Sequence, residues 1–539
     1  MRRLICCLVW LVLSHLLEGQ VPARFDVVIH EFFPDPSPVI GLPGSEFIEL
    51  RNTSGNAFNL RNWKLSDGST TATITVNYVL LPDSMVIICP ASSVSAYAVW
   101  GPTIGVSGFP SLNNDGDMII LLSPSGVVIH SIGYDLNWYR NAVKSEGGWT
   151  LEMIDAQNPC AGGDNWKASV DARGGTPGRI NSITGINSDV QPPALLRTYT
   201  VDSITIVVVF DEPLDSTSAA TIGHYVLDKG LFVSTAEPLS PTFKQVSLTL
   251  QASMLPRVRY TLQVSDVADC SGNIIGIMNS SKAGLPSDLD TSDIIVNEVL
   301  FNPSPDGTDY VEFYSKSDKI IDASTLFIAN RNSTGSIVSA RKMSETPFLI
   351  FPGDFIVATA DAQLVRSRHH VAHPINLLLV PQLPSFPDDK GNIVLLNQQG
   401  TIIDELSYDE KWHFPLIANR EGVALERIDY QLPTQHKENW TSAAADAGFG
   451  TPTARNSQFK TYQAVQGSIE LGTPVFSPDG DGRDDLCFIH YEFANPNNVA
   501  NVTVFDINGI PVRKLYSNIT LSEKGVFRWD GLDDRGRRS

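Results

Sequence analysis

Apolar and β-branched residues recur along this chain in short runs that end at proline, glycine or paired polar residues. The run DVVIHEFFPDPSP, at residues 26–38, is one example, and its prolines cannot donate to a central strand ladder. Such runs predict β-strands, and no stretch keeps a 3.6-residue period over the length of a helix. The pattern therefore predicts an all-β protein built from tandem β-sandwiches.

Much of this pattern occurs twice. The first run returns as DIIVNEVLFNPSP at residues 293–305, and GSEFIEL at 44–50 returns as GTDYVEF at 307–313. Near the end of each copy, GGTPG at 174–178 is matched by FGTPT at 449–453. Because several blocks recur in the same order, the sequence predicts a duplicated domain.

Two further β-rich segments complete the chain. ITIVVVF and YTLQV lie between the copies, and NVTVFDINGIPVRKL follows the second copy. Strands spaced in this way are typical of a sandwich. The predicted boundaries are a signal peptide at 1–20, a first repeat at 21–185, a middle domain at 189–285, a second repeat at 290–460 and a last domain at 464–539.

The first residues predict export. Met1, Arg2 and Arg3 form a basic start, an apolar run follows from Leu4 to Leu17, and small residues suited to cleavage lie between Gly19 and Ala23. The apolar run is shorter than the roughly 20 residues that a membrane-spanning helix needs. With no transmembrane segment predicted after the signal, we expect a secreted or outer-surface protein.

Length and charge narrow the class of protein. The 539 residues exceed what one hydrophobic core supports, and 42% of them are hydrophobic, as in globular proteins. The chain has 39 Lys and Arg against 59 Asp and Glu, a formal net charge of −20. A charge of this sign repels polyanions, so nucleic acid is a disfavoured partner.

Four cysteines remain once Cys6 and Cys7 leave with the signal. Cys89 and Cys160 lie in the same predicted domain, where they either pair or stay as buried free thiols. Cys270 and Cys487 lie in different predicted domains. The chain contains no Cys-x-x-Cys, so a metal-binding knuckle is not indicated.

The repeated blocks resemble the lamin-tail domain, an immunoglobulin-like sandwich that also occurs in exported bacterial proteins. The resemblance rests on the shared opening strand, on EFIE at 46–49 and DYVE at 309–312, on NLRNWKLSD at 59–67 and on the closing GTP. The second repeat departs from it at ASTLFIANR, which lacks the tryptophan. The resemblance implies tandem immunoglobulin-like β-sandwiches.

The other two segments resemble different modules. FDEPLD at 210–215 and DCSGN at 269–273 are similar to bacterial immunoglobulin-like domains. PDGDGRDD, VFDINGIPVRKL and FRWDGLDDRGR are similar to the immunoglobulin-like domain of flagellar hook-assembly proteins and to C-terminal modules of type IX secretion cargo. Such modules normally continue into one more strand after the position of Arg537, so we expect either that the sequence is truncated there or that the last domain lacks its closing strand.

These resemblances imply a non-enzymatic, secreted or cell-surface protein that acts as a scaffold or in adhesion. Its expected partner is a cell-surface or extracellular macromolecule, and neither the identity of that partner nor the oligomeric state is indicated. An alternative is an accessory or DNA-binding protein that supports an exported nuclease or phosphatase. The sequence contains no GxSxG, HExxH, GxGxxG or P-loop motif that would predict catalysis.

One short acidic stretch is a candidate calcium site. SPDGDGRDD, at 477–485, places four carboxylates on a glycine-rich turn, and calcium prefers several oxygen ligands in such a setting. The spacing differs from that of an EF-hand, so a solvated acidic turn remains the alternative. The predicted ligands are Asp479, Asp481, Asp484 and Asp485.

Three other groups are better explained as structural. The repeated glutamates Glu31, Glu49, Glu298 and Glu312 would have to face one cleft to act as an acid–base pair, so we expect them to face solvent or cap a strand. The histidines of HHxxH, at 369–373, are expected in an exposed loop. Trp138 and Trp166 recur as Trp412 and Trp440, which favours core packing over a carbohydrate groove.

Overall fold

A computed structural model describes residues 21–415, 417, 419–459, 467–493, 498–507 and 509–539. The predicted signal peptide, residues 1–20, lies outside the described residues. As predicted, the fold is almost entirely β, with strands arranged as tandem sandwiches.

The strands are numbered in chain order. The first repeat contains β1 (Val27–Phe33), β2 (Phe47–Asn52), β3 (Phe58–Asn59), β4 (Lys64–Ser66), β5 (Thr71–Thr73), β6 (Val79–Leu80), β7 (Met85–Pro90), β8 (Thr103–Val106), β9 (Gly116–Leu122), β10 (Val128–Asp135), β11 (Leu151–Met153) and β12 (Trp166–Ala168). The middle domain contains β13 (Leu195–Thr200), β14 (Thr205–Phe210), β15 (Tyr225–Leu227), β16 (Val233–Pro238), β17 (Gln245–Leu250), β18 (Tyr260–Val264) and β19 (Ser280–Ala283).

The remaining strands follow in the second half of the chain. The second repeat contains β20 (Ile294–Leu300), β21 (Tyr310–Ser315), β22 (Ile321–Asp322), β23 (Leu326–Arg331), β24 (Ile337–Lys342), β25 (Leu349–Ile350), β26 (Phe355–Thr359), β27 (Leu377–Leu379), β28 (Lys390–Asn397), β29 (Ile402–Asp409), β30 (Leu425–Arg427) and β31 (Trp440–Ser442). The last domain contains β32 (Gly467–Leu471), β33 (Cys487–Phe493), β34 (Asn498–Phe505), β35 (Pro511–Leu521) and β36 (Lys524–Trp529).

Helices are short in the described part of the chain. The α-helices are α1 (Val94–Tyr97), α2 (Ser216–Ala219) and α3 (Ala362–Arg368). Single 3-10 turns lie at Ala91–Ser93, Leu136–Tyr139, Lys144–Glu146, Gly162–Asn165, Ile222–His224, Ala323–Thr325, Pro374–Asn376, Glu410–Trp412, Lys437–Asn439 and Ala445–Ala447.

The chain divides into two compact units. Of the described residues, unit 1 comprises those within 21–288, 318–323 and 346–351, and unit 2 comprises those within 289–317, 324–345 and 352–539. Unit 1 therefore holds the first repeat and the middle domain. Most of the second repeat and all of the last domain belong to unit 2.

The first repeat is a two-sheet sandwich. One sheet has the order β12-β11-β1-β2-β7-β8, and the other has the order β10-β9-β4-β5. Every residue of β1 is buried because this central strand is covered on both faces, which explains why its apolar run shows no polar alternation. Trp63, Trp166 and Phe32 are among the large side chains that fill the core between the sheets.

The second repeat has the same topology. Its sheets have the orders β31-β30-β20-β21-β26-β27 and β29-β28-β23-β24, strand for strand as in the first repeat. Even the irregularities are shared, since β1 has a register shift between Ile29 and Glu31 and β20 has one between Val296 and Glu298. The structure thus shows the duplication that the repeated sequence blocks predict.

The middle domain is a smaller sandwich of a four-stranded sheet, β13-β14-β17-β16, and a three-stranded sheet, β15-β18-β19. Its core is formed by alternating residues such as Val246, Leu248 and Leu250 of β17, whose intervening residues are partly exposed. The last domain has a three-stranded sheet, β32-β33-β36, and a hairpin of β34 and β35.

Cys160 does not pair with Cys89, which was one of the two possibilities that the sequence left open. Cys160 of the first repeat forms a disulfide with Cys270 of the middle domain, and their Cα atoms lie 6.0 Å apart. Cys89 and Cys487 are buried free thiols. Sequence position assigned Cys160 and Cys270 to different domains, but pairing requires only that the two residues meet in space.

Candidate functional site

The predicted calcium stretch forms a turn between β32 and β33. Carboxylate oxygens of Asp479, Asp481 and Asp485 lie within 4.8 Å of one another. Asp484, the fourth predicted ligand, is outside this group and has a left-handed backbone with φ of 54°. The structure therefore brings together three of the four predicted residues.

Hydrogen bonds within the turn hold these carboxylates. Asp485 accepts from the backbone N–H groups of Gly480 at 2.6 Å and Gly482 at 2.8 Å, one on each carboxylate oxygen. Both glycines have positive φ, which residues with a side chain adopt only at a cost. The sequence thus shapes an oxygen-lined turn, and calcium binding there stays a prediction.

A second group of carboxylates lies in unit 1, where the sequence did not indicate one. Oxygen atoms of Asp189, Glu212 and Asp269 lie within 4.8 Å of one another. Burial, followed by the charges of Asp189 and Asp269, raises the pKa of Glu212 to about 8. Glu212 comes from FDEPLD and Asp269 from DCSGN, so the two blocks that carried the family resemblance meet in the fold.

The repeated glutamates are buried and do not face solvent. Glu31, Glu49 and Glu152 are neighbours on β1, β2 and β11, where Glu31 pairs across the sheet with both of the others. In the second repeat, Glu298 pairs in the same way with Glu312 and Glu426. The expectation that these residues face solvent is wrong, and the backbone groups that they accept from lie outside the strands and not on a neighbouring strand.

In each repeat the glutamates bind the segment that contains the closing GTP. In the first repeat, the backbone N–H of Thr176 donates to Glu31 at 2.8 Å, and that of Gly178 donates to Glu49 at 2.5 Å. The Thr176 hydroxyl donates to Glu152 at 2.9 Å. The carboxylates therefore hold the chain against the outer face of the six-stranded sheet.

The second repeat reproduces this arrangement. The backbone N–H of Thr451 donates to Glu298 at 3.0 Å, and its hydroxyl donates to Glu426 at 2.9 Å. The backbone N–H of Thr453 donates to Glu312 at 2.5 Å. We name residues 174–183 and 449–458 the closing segments. The glutamate triplets are structural supports for these segments, and the repeated GTP was the sequence signal that could have identified them.

Crowding of like charges in a buried site changes the acidity of these groups. Burial, and then the charges of Glu49 and Glu152, raises the pKa of Glu31 well above its usual range. Burial and the charge of Glu426 raise the pKa of Glu298 to about 8, against the effect of hydrogen bonds from Tyr310 and Thr451. Hydrogen bonds to the carboxylates offset part of the cost of burying them.

The histidine cluster is divided between two environments. His369, at the C-terminal end of α3, is half-buried with its ring 5.6 Å from that of Tyr310, while His370 and His373 are exposed. Burial lowers the pKa of His369. His369 thus departs from the exposed loop that was expected, because it packs beneath the second repeat's closing segment near Gly450.

The tryptophans largely follow the core prediction. Trp63, Trp166 and Trp440 are buried, whereas Trp138 and Trp412 are only partly buried. Trp138 lies 5.8 Å from Trp166, measured between ring centroids, and also borders a cleft in unit 1. That cleft is lined by residues of both the first repeat and the middle domain and has a volume of about 830 Å³.

Among the described residues, no helix is long and apolar enough to cross a membrane.

Comparisons with known proteins support the assignment of the first repeat. Residues 20–135 match the family model described as Lamin Tail Domain. Among curated proteins, none matches this sequence.

Several solved structures are similar at low identity. The N-terminal part of the bacterial S-layer protein SbsC is 15% identical with a TM-score of 0.17, and the match covers 31% of this chain and 40% of that chain. A DUF4876 family protein from Bacteroides thetaiotaomicron is 11% identical with a TM-score of 0.19, covering 46% and 95%. The adhesin InvE of Yersinia pseudotuberculosis is 13% identical with a TM-score of 0.15, covering 44% and 67%. These values assign no function to the chain.

Proposed function

We propose that this protein is a non-enzymatic, secreted or outer-surface scaffold that acts in adhesion through loops presented by tandem β-sandwiches. The observation that carries the proposal is the fixed junction between the first repeat and the middle domain. A rigid array of sandwiches holds surface loops at set spacings, which suits a protein that contacts another surface.

The junction is held by covalent and polar contacts. Besides the disulfide, the Arg24 guanidinium donates to the carbonyl of Leu214 at 2.8 Å and lies 4.0 Å from the centroid of the Phe243 ring. The hydroxyl of Ser131 donates to the carbonyl of Pro241. Contacts of three kinds therefore oppose rotation of one sandwich against the other.

Three features support export, its route and the lack of catalysis. Disulfides persist in oxidising compartments, so the Cys160–Cys270 bond is in keeping with the predicted signal peptide. The carboxylates that recur in both repeats are fully buried and bound to the closing segments, so they are not placed to act on a substrate. The resemblance of the last domain to type IX cargo supports that route of export.

Surface exposure is the first test. Protease applied to intact cells that produce the chain should release fragments of it, while a cytoplasmic control protein stays whole. The purified mature chain should also leave a panel of phosphoesters unhydrolysed. Protection of the chain until the cells are lysed would contradict the proposed location, and turnover of a phosphoester would contradict the non-enzymatic assignment.

The same purified chain tests the alternative of a DNA-binding accessory protein. Retention on DNA that weakens steeply with salt would favour that alternative, because such binding depends on released counterions. We expect no retention at physiological ionic strength, given the net charge of −20.

A further inference from the structure

The cleft in unit 1 has the size and position of a ligand site. Its volume of about 830 Å³ lies within the roughly 300–1,000 Å³ of small-molecule sites, which often form where two domains meet. The turn at Asn137–Arg140 and the loop at Ala161–Asp164 form one wall. Residues Asp211–Pro213 of the middle domain form the other, and the linker Asn187–Gln191 lies between them.

The walls of this cleft are held in place by contacts at its base. The Asn158 amide donates to the carbonyl of Asn187 at 2.7 Å, and its oxygen accepts from the Ser271 hydroxyl at 3.1 Å. Asn273 donates to the carbonyl of Asp189 at 3.3 Å, beside the Cys160–Cys270 bond. A ligand would therefore enter a preformed site and would not have to order its walls.

Polar side chains in the cleft are unused by the protein. The side chains of Asn137, Gln191 and Glu212 make no hydrogen bond to any residue in the described ranges, although all three line the cleft. The two amides both donate and accept, and a carboxyl oxygen of Glu212 accepts whichever protonation state the group has. Hydroxyl groups, which also donate and accept, match such a lining, and the indole of Trp138 adds an apolar surface.

Charge in the cleft selects against anions. Five acidic side chains line it, those of Asp135, Asp164, Asp189, Asp211 and Glu212. The two cations are already engaged, since Arg140 pairs with Asp164 at 3.2 Å and Lys244 donates to the carbonyl of Asp211 at 2.7 Å. Phosphate, sulfate and uronic acid groups would be repelled, and among the remaining ligands those rich in hydroxyl groups match the unpaired amides of Asn137 and Gln191.

We infer that the cleft between the first repeat and the middle domain binds a neutral glycan. The inference rests on the proposed function, because a glycan on a neighbouring cell or matrix is a ligand that a surface adhesion protein would contact. Asn137, Gln191 and Glu212 would bind its hydroxyl groups, with Trp138 alongside.

Isothermal titration of the purified mature chain tests this inference. The probes are short neutral oligomers of glucose, mannose, galactose and N-acetylglucosamine at up to about 10 mM, with oligogalacturonate as the acidic comparison. We expect at least one neutral oligomer to bind and the acidic one not to bind. The double variant Asn137→Ala/Gln191→Ala should weaken binding about tenfold, the loss expected for two neutral hydrogen bonds.

The duplication supplies a matched control. Trp138→Ala should weaken binding, whereas Trp412→Ala, at the corresponding position of the second repeat, should leave the affinity unchanged. Because Trp138 also packs on Trp166, the exposed Asn137 and Gln191 variants keep the test valid if Trp138→Ala misfolds.

Three results would overturn the inference: no binding of any neutral oligomer, an affinity unaffected by the Asn137→Ala/Gln191→Ala pair, or binding that disappears when EDTA removes divalent cations. None of these changes the protease result on intact cells. A chain that is surface-exposed but binds no neutral oligomer would therefore refute the glycan site and leave the proposed function standing. A chain confined inside the cell would refute the proposed function.

Discussion

Glu298 shows how a carboxyl group is accommodated inside a β-sheet. It is fully buried on β20, beside Glu426, and its acceptors are used by the hydroxyl of Tyr310 and by the backbone and hydroxyl of Thr451. The raised pKa, about 8, means that the folded protein binds a proton at this site that the unfolded chain releases near its ordinary glutamate pKa. Stability must then depend on pH.

Replacing Glu298 by glutamine should reduce that dependence. A group whose pKa is raised on folding contributes stability that is present in full below its unfolded pKa and is lost as the pH rises to and through its folded pKa, here about 8. We therefore expect the Tm of the wild-type chain to fall between about pH 5 and pH 9 and that of Glu298→Gln to fall less. Calorimetry across this pH range measures the Tm of both proteins, and Glu421→Gln, at an exposed position, is the control. If the Tm of Glu298→Gln changed with pH in the same way as that of Glu421→Gln, Glu298 would not be the source of the pH dependence.

The aspartates of the last domain offer a test of calcium binding. Asp479, Asp481 and Asp485 lie close enough together to share one cation, whereas Asp484 in the same stretch does not belong to the group. If calcium binds only the folded state, calcium at about 100 times its dissociation constant stabilises that state by about 2.7 kcal/mol. Millimolar calcium should raise the Tm of the wild type and of Asp484→Asn but not that of Asp485→Asn. Equal shifts in the two variants, or none in the wild type, would remove the prediction.

The closing segments are elements that use hydrogen bonds to buried carboxyl groups in place of strand pairing. The Thr451 hydroxyl lies within hydrogen-bond distance of both Glu298, at 2.8 Å, and Glu426, at 2.9 Å, and so bridges the two carboxyl groups. Thr176 occupies the same place in the first repeat. The repetition of these contacts at every matched position indicates that the segment is part of the sandwich and not a connecting loop.

Thr451→Val should therefore destabilise the second repeat. Valine keeps the shape of threonine but removes the hydroxyl that lies between two buried carboxyl groups, and leaving such buried polar groups without their partner costs about 1–3 kcal/mol. Urea unfolding monitored by tryptophan fluorescence measures the change. Thr401→Val, an exposed residue of a hairpin turn, is the matched control and should stay within about 0.5 kcal/mol of the wild type. A similar stability for both variants would show that the hydroxyl contacts contribute little.

The strands and the duplication were predictable from the sequence because they rest on local patterns. Period-two alternation marks β17, and the uninterrupted apolar run of β1 reflects its covered faces. The burial of Glu31 and Glu298 was not predictable in this way, since it depends on a segment more than a hundred residues away that covers them. The turn at 477–485 was predictable in part. The glycine spacing predicts its shape, but the sequence does not indicate which of its carboxylates lie close together.

Contacts between domains are the least predictable feature of the molecule. Nothing in the spacing of Cys160 and Cys270 distinguishes their pairing from other combinations, because it follows from the way the first repeat packs on the middle domain. The group of Asp189, Glu212 and Asp269 is not predictable from the sequence for the same reason. The acidic residues at 210–215 and 269–273 are evident in the sequence, but only the folded unit shows that they lie close together.

The disulfide should contribute substantially to the stability of unit 1. It closes a loop with a sequence separation of 110 residues, for which the chain-entropy estimate is about 4–5 kcal/mol, and measured values more often lie at about 2–5 kcal/mol. We expect Cys160→Ser/Cys270→Ser to lower the Tm of unit 1 and to increase proteolysis of the linker near Asn187. Scanning calorimetry and limited proteolysis of the full mature chain measure these effects.

Cys487→Ala provides the control for this pair, since Cys487 is a buried free thiol of the last domain and its loss leaves the disulfide intact. Its effect should be confined to the transition of unit 2. If the Cys160→Ser/Cys270→Ser chain keeps the wild-type transition of unit 1 and an uncut linker, then polar contacts such as that of Arg24 with Leu214 suffice to fix the junction.

A wild-type chain with four reactive thiols after denaturation without reductant would instead show that the bond does not form. In that case the junction loses its covalent support, and the rigid presentation of loops on which the proposed function rests would depend on the non-covalent contacts alone.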